Sequence, residues 1–378
     1  MISQYDVIVI GGGITGLSTA YHLTREGKRV LLLEQFPIAH ERGQSYGESR
    51  MLSLAYKDEK YVRLTLQAKQ LWHEFEQVVG LKVFFETGGM DLGEDSNECT
   101  LILKVRDTMH QFSIDYEEWD SRTIKKKVSV WHPKEEAFAL YSPGDGIISP
   151  RRTVAVMVSH VTSLGCVIRG EEPVVGVFSD GSSAEVFTSK NRYIAKSLVI
   201  ACGVWTNKML SHLNFSLPIE PVQEQTVYFR PRANTDAFIV GHLPMWFHRR
   251  EPIAYGFPIF GEPGIKIGFH WDGMRTDIDS YTGVPNSAVT ERLRAYLEEY
   301  LPDAAGESFG ARTCLYDNTP DQDFIVDQLP GMPNVCVGAG FSGNGFAPST
   351  AIGRALADLS LGRRTEIEIS KFKISRFL

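Results

Sequence analysis

The stretch Val7-Ile8-Val9-Ile10-Gly11-Gly12-Gly13-Ile14-Thr15-Gly16 constrains this chain more than any other. An apolar run closed by glycines predicts a buried parallel strand, and the amphipathic stretch 17–26 predicts a helix. The glycines therefore lie in a strand-to-helix turn. Gly11, Gly13 and Gly16 stand in G-x-G-x-x-G spacing. The first permits the tight turn, the second lets a pyrophosphate approach the backbone, and the third lets helix and strand pack closely. The helix N-terminus then offers free N–H groups to the phosphates. A second apolar strand, 29–33, ends at Glu34, where a carboxylate can accept hydrogen bonds from a ribose 2′-hydroxyl. Strand, glycines, helix, strand and acid follow in the order of a dinucleotide site; the plain alternative is a glycine turn in an ordinary α/β domain. The position at the N-terminus favours FAD over NAD, although the motif serves both.

A chain of 378 residues with 43% hydrophobic content can build two domains and a substantial core. Its net charge of −7 gives no support for a nucleic-acid or anionic-membrane partner. Cys99, Cys166, Cys202, Cys314 and Cys336 are odd in number and scattered, with no CxxC pair and no metal-ligand spacing, which fits a reducing compartment and no metal. The chain enters its first strand through Asp6 without the charged and apolar regions of a signal peptide. No apolar run reaches the roughly eighteen residues of a membrane span. These features predict a soluble cytoplasmic protein.

The polar segment 35–49 ends in Gly47-Glu48-Ser49-Arg50 and precedes a long helical pattern over 59–79, so this loop lies near the nucleotide. A cation such as Arg50 beside a flavin would stabilise negative charge on the ring; the plain alternative is a surface pair with Glu48. Residues 88–93 read as a strand leaving the first domain, and short helices are expected over 98–109 and 121–128. A turn-rich segment, 144–150, precedes a helix over 152–163, and the charge-rich insert before it implies an interrupted nucleotide domain. The stretch 197–205 predicts a buried strand ending at a glycine turn, with Cys202 a packed thiol. Alternating patterns at 226–230, 253–257 and 264–270 predict an antiparallel sheet. On a regular strand Lys266 and His270 share a face with Gly264 and Gly268, which suits a pocket wall better than a core. Tyr255 could face the same pocket, although an aromatic in a sheet is commonly core. A helix over 289–301 follows, and later a strand over 334–337 opens through Gly340, Gly343, Asn344 and Gly345 into a helix over 349–361, a second set of N–H donors near an anion or an electron-rich ring.

These pieces together resemble monomeric sarcosine oxidase, N-methyltryptophan oxidase and peroxisomal pipecolate oxidase, within the glutathione-reductase-like FAD amine oxidases. The resemblance rests on GGGITG with Glu34, GESR at 47–50, YGFP at 255–258, GIKIGFH at 264–270, CLYDNTPDQDFIVD at 314–327, GAGFSGNGF at 338–346 and KISRF near the C-terminus, and covers essentially the whole chain. It implies an α/β fold of mixed α+β character: a glutathione-reductase-like FAD-binding domain of residues 1–86, 146–220 and 311–378, and an antiparallel-sheet substrate domain of residues 87–145 and 221–310. It implies FAD joined covalently to Cys314, oxygen activation by Lys266, Arg50 beside the ring, and Tyr255 and His270 around the substrate. It further implies a monomer acting on a small-molecule amine and O2.

The departures are specific. Where the family carries an arginine and a lysine that grip the substrate carboxylate, this chain has Ser53 and Ala347; where the family has histidines, it has Tyr46 and Asn344. A carboxylate buried without a cation costs several kcal/mol, so sarcosine itself is not expected to be a good substrate. Arg249 or Arg250 could bind a carboxylate in a shifted place, or the substrate lacks one there; the plain reading of that pair is a solvated loop. The expected activity is oxidation of a secondary or cyclic amine to an imine, with O2 reduced to H2O2. The alternatives are a fructosyl-amino-acid or biosynthetic imino-acid oxidase, a flavin dehydrogenase using another acceptor, an NAD-dependent dehydrogenase, or a non-catalytic flavin sensor.

Overall fold

The computed structural model describes residues 3–378. The first strand, Ser3–Ile10, lies inside an eight-stranded sheet, parallel to Val30–Leu33 on one edge and to Arg192–Ile200 on the other. Val167–Arg169 extends the sheet beyond Val30–Leu33. The outer edge of Arg192–Ile200 is shared: Ala184–Thr188 pairs antiparallel near its start, and Met332–Ala339 pairs parallel near its end.

The apolar run of the first strand is explained by burial on both faces. Val7 and Val9 point into a cluster with Leu17, Phe75 and Ile352 from the covering helices Ile14–Arg25, Glu59–Val79 and Ser349–Ser360. Ile8 and Ile10 point the other way, against Leu198, Ile200 and Leu210. The expected helix over 59–79 forms with those bounds: Asp58 caps it by accepting from the Lys60 N–H at 2.9 Å, and Gly80 ends it in the left-handed conformation at φ 68°. Its fully buried Trp72 donates through Nε1 to the Ala347 carbonyl at 2.8 Å, tying the helix to the second glycine turn.

The second sheet has nine strands and centres on Glu220–Phe229, which runs antiparallel to Ser308–Asn318 and to Ile265–His270. Ile253–Phe257, Met245–His248, Gly89–Gly93, Phe138–Ser142 and Glu117–Asp120 follow in order. One pairing departs from the antiparallel expectation. Gly89–Gly93, which leaves the first domain, lies parallel to Met245–His248 as an inner member of this sheet. Alternation divides the sheet's two faces: Ile265, Ile267 and Phe269 pack with Leu293, Tyr296 and Leu297 of the helix Ser287–Tyr300, which turns Lys266, Gly268 and His270 to the opposite side. A small three-stranded sheet, Arg50–Leu52, Gly146–Ile148 and Phe84–Glu86, sets Arg50 opposite Ile148. Among the described residues no helix is long and apolar enough to cross a membrane.

The tightest point of the fold is the first glycine turn. A Cβ on Gly16 would stand 1.9 Å from the Gly11 carbonyl oxygen, a backbone atom that cannot move aside. Gly16→Ala is therefore expected to destabilise the protein by about 3 kcal/mol, measured by chemical denaturation.

Candidate active site

A cavity of about 880 Å³ runs from the first glycine turn to the inner face of the second sheet. At the turn, Gly11 has φ 110°, and a Cβ there would meet the Ala201 carbonyl oxygen at 2.2 Å. Only glycine permits the ends of the two parallel strands to approach so closely. Glu34 closes the turn, accepting from the Gly12 N–H at 2.8 Å and the Phe36 N–H at 2.9 Å, with His40 Nε2 at 3.5 Å. Burial pushes its carboxyl pKa up, but the hydrogen bonds from His40, Phe36 and Gly12 outweigh that and hold it below the usual range. No side chain caps the helix at Gly13, although Ser45 Oγ accepts from the Ile14 N–H at 2.9 Å. An anion at this end would meet a helix N-terminus, and a diol would meet a carboxylate. The residues fit the pyrophosphate and ribose of FAD.

Lys266, Arg50 and Cys314 line the same cavity farther on. Lys266 Nζ donates to the Ser49 carbonyl at 3.0 Å and stands 5.0 Å from the centre of the Phe257 ring. Burial, reinforced by the charge of Arg50, pushes its pKa well below the usual lysine value. Arg50 makes no pair with Glu48. It donates to the carbonyls of Ser49 at 3.0 Å and Gln44 at 3.1 Å, while Glu48 binds Arg151 at 2.8 Å. Burial raises the Cys314 thiol to about 11 against the opposing charge of Arg50. Tyr46 donates to the carbonyl of Thr313 beside it.

Tyr255 and His270 reach the cavity from neighbouring strands, their ring centres 6.2 Å apart. Burial drives the His270 pKa down to about 3, with Arg249 contributing, so the imidazole is neutral. Its Nδ1 shares a hydrogen bond of 3.1 Å with the Tyr316 hydroxyl. Gly343, Asn344 and Gly345 line the wall, and Gly343 is required there because a Cβ would lie 2.2 Å from the Tyr316 ring. Gly16 and Gly340 stand behind the wall. Gly16 sets helix against strand, and the Gly340 N–H donates to Asp317 at 2.7 Å. Cys202 packs its sulfur 3.3 Å from the Ile10 carbonyl, and burial raises its pKa far above the usual thiol range.

Ser53 donates to Asp145, a buried carboxyl whose pKa burial lifts to about 6 and which also accepts from the Leu54 N–H at 3.1 Å. The solvated-loop reading of the arginine pair is corrected for Arg249. It lines the cavity and makes a two-pronged bond to the buried Asp91, with Nε to Oδ1 at 2.8 Å and Nη2 to Oδ2 at 2.6 Å. Arg250 lies outside the cavity wall, 3.9 Å from Glu299. Tyr316, Phe247, Asp91 and Asp145 were not singled out from sequence. For Tyr316 a signal existed, since it shares a strand face with Arg312 and Cys314 by simple alternation.

A glycine turn and acid built for a dinucleotide, opening into a cavity with cations and a thiol at its other end, define a nucleotide-dependent redox enzyme. The chain belongs to the FAD dependent oxidoreductase family, whose model matches residues 6–359. It is 32% identical over 380 residues to human peroxisomal sarcosine oxidase, covering 99% of this chain and 96% of that one. It is 29% identical over 385 residues to monomeric sarcosine oxidase of Bacillus sp. strain NS-129, covering 100% and 98%. To N-methyl-L-tryptophan oxidase of Yersinia pestis it is 30% identical over 380 residues, covering 99% and 100%. Among solved structures, that of NikD, described as an unusual amino acid oxidase essential for nikkomycin biosynthesis, superposes with a TM-score of 0.87 over 98% of each chain at 27% identity.

Glu224 lies opposite Cys314 in the strand register and is buried, accepting from the Gly273 N–H at 3.0 Å. Burial raises its carboxyl to about 7 from an ordinary 4.5. A raised folded-state pKa favours the protonated protein, so this group's stability contribution is complete below about pH 4.5 and is lost as pH rises through about 7. Glu224→Gln is expected to match the parent near pH 4 and to exceed it by about 2 kcal/mol at pH 8 in chemical denaturation.

Proposed function

We propose that the protein is an FAD-dependent oxidase of a secondary or cyclic amine, of the N-methyl amino acid kind, with sarcosine itself not its best substrate. The observation that carries this reading is the convergence of Lys266, Arg50 and Cys314 in one cavity with the Gly11 turn and Glu34. When bound, FAD would accept hydride from the carbon next to nitrogen, yielding an imine, and pass the electrons to O2 to give H2O2. The curated relatives named as oxidases of sarcosine and of N-methyl-L-tryptophan support the amine and the oxygen acceptor.

In this reading residues 1–86, 146–220 and 311–378 hold FAD, and residues 87–145 and 221–310 hold the amine. The strand Ser308–Asn318 crosses between the two and brings Cys314 to the flavin. Cys314 forms the covalent link, and Arg50, first among the charges opposing the burial of that thiol, favours the thiolate that the bond requires. Gly11, Gly13, Gly16 and Glu34 hold the dinucleotide, while Gly340, Gly343, Asn344 and Gly345 back the ring. Lys266, held in the cavity by the Ser49 carbonyl, sets a positive charge where negative charge develops as electrons pass to O2. Neutral His270 and the Tyr255 phenol, whose ionisation burial opposes, orient the amine without protonating it. The enzyme works as a cytoplasmic monomer.

Acid precipitation tests the link: yellow colour is expected to stay with the parent protein and to leave with the supernatant for Cys314→Ala. Flavin still bound in the variant would place the attachment elsewhere. Stopped-flow measurement of the two half-reactions tests the lysine. Lys266→Met is expected to slow reoxidation by O2 by roughly a hundredfold or more and reduction by the amine far less; equal slowing of both would contradict its role.

A further inference from the structure

The end of the cavity remote from Lys266 carries a second, differently built cation. Met245 and Phe247 of the strand Met245–His248, and Arg249 directly after its end, all line the cavity. The guanidinium of Arg249 stands 5.3 Å from the centre of the Phe247 ring, and Phe247 in turn lies 5.8 Å from His270. Asp91 takes Nε and Nη2, and the Ala55 carbonyl takes Nη2 at 3.2 Å, so the plane of the group is fixed. Among the described residues Nη1 has no protein acceptor and is not sealed from solvent, and Arg249 lines the cavity, which leaves the N–H donors of Nη1 free for an anion there. Lys57, on the loop that supplies the Ala55 carbonyl, also lines the cavity and has no ion-pair partner among the described residues. Asp58 and Asp323 nearby are both taken by Lys371, at 2.6 and 2.9 Å.

Another part of the cavity wall is hostile to a carboxylate. Ser53 is held by the buried Asp145. Asp145 occupies the space a Cβ on Gly89 would need, 2.8 Å from its own Cβ, and Gly89 lies two residues before Asp91 on the same strand. A substrate anion placed there would face a carboxyl oxygen, whereas one placed at Nη1 would meet free donors.

We infer that Arg249, oriented by Asp91, anchors an anionic group of the substrate well away from the carbon that is oxidised. The reach follows from the register. His248 lies opposite Ala254 and Ile253 opposite His270, so Arg249 stands two strands across from His270, and Lys266 four residues along from it. With strands about 4.8 Å apart and about 3.3 Å per residue, the Cα atoms of Arg249 and Lys266 are on the order of 15 Å apart. The side chains reach inward from both ends, and the space between them is walled by Phe247, Tyr255 and His270. The substrate class is therefore an amine whose carboxylate lies several bonds beyond the α position, with an apolar or aromatic body between. This deepens the amine-oxidase reading and rests on it for the amine, but not for the anion.

Two measurements keep the two apart. Calorimetric titration of the holoenzyme with 4-phenylbutanoate and with 4-phenylbutanamide reads the anchor alone. The acid is expected to bind roughly tenfold or more tightly than the amide. That preference is expected to fall to about one in Asp91→Leu/Arg249→Leu, which removes both charges and leaves neither buried alone. Equal affinity for acid and amide, no binding of either, or a preference that survives in the double variant would each overturn the anchor. Anaerobic bleaching of the flavin by 5-(methylamino)pentanoate and by N-methylglycine reads the amine. The longer substrate is expected to reduce the flavin with the higher kcat/KM, and a higher value for N-methylglycine would overturn the placement of the anion. Bleaching by neither amine, with the acid preference intact, would sink the oxidase reading and leave the anchor standing.

Discussion

The site depends on a backbone contact that admits no side chain. The Gly11 α-carbon lies against the Ala201 carbonyl, and Gly16 lies against the Gly11 carbonyl. Two strand ends and a helix start thereby meet at one point. Because the strands are parallel and their register is fixed by hydrogen bonds such as that from the Gly11 N–H to the Leu33 carbonyl at 2.8 Å, Glu34 emerges beside the turn and can bond Gly12. The crevice outside the carboxyl ends of such strands is where a dinucleotide binds. A methyl group at either glycine would open it at its base.

The far wall arises from a different rule. A strand with one face in a core and one in a cavity must alternate, and Ile265–His270 does so without exception, its apolar members against the helix Ser287–Tyr300, its lysine and histidine against the cavity and Gly268 under Tyr255. Gly268 leaves the space that Tyr255 fills, since a Cβ there would stand 3.0 Å from the tyrosine oxygen. The same alternation on Ser308–Asn318 carries Arg312, Cys314 and Tyr316 inward. Packing on one side thus fixes the chemistry on the other.

What could be read from the sequence follows this division. The first turn, the helix from Glu59 to Val79 and the shared face of Lys266 and His270 are local patterns, each set by neighbours a few residues away, and each forms as expected. The parallel pairing of Gly89–Gly93 was not legible, because its partner Met245–His248 is remote in the chain, although the resemblance places 87–145 in one domain with 221–310. The same holds for Arg249 and Asp91, separated by 158 positions, and for Ser53 and Asp145, separated by 92. Two adjacent arginines before a cis-proline turn look like a solvated loop until the sheet places a buried carboxylate beside one of them. The resemblance to a known family supplied roles for Lys266 and Cys314 that no spacing rule contains, and said nothing of Arg249.

The cavity holds its cations in two ways, and the difference decides what each can do. Lys266 and Arg50 are satisfied by the carbonyls of Ser49 and Gln44, and among the described residues neither pairs with a carboxylate. Carbonyl dipoles fill the hydrogen-bonding positions but cancel no charge, so the ring end keeps a positive field in a medium that screens it weakly. Arg249 is satisfied by a carboxylate, which cancels most of its field while fixing its orientation. An uncancelled cation acts on any negative charge that develops nearby, wherever on a ring that charge spreads. A paired one acts through its remaining N–H groups, and only on an acceptor that stands in their plane. The first arrangement suits a redox reaction, in which charge appears and disappears. The second suits recognition, in which a fixed anion must be distinguished from its neutral counterpart by direction as well as by charge.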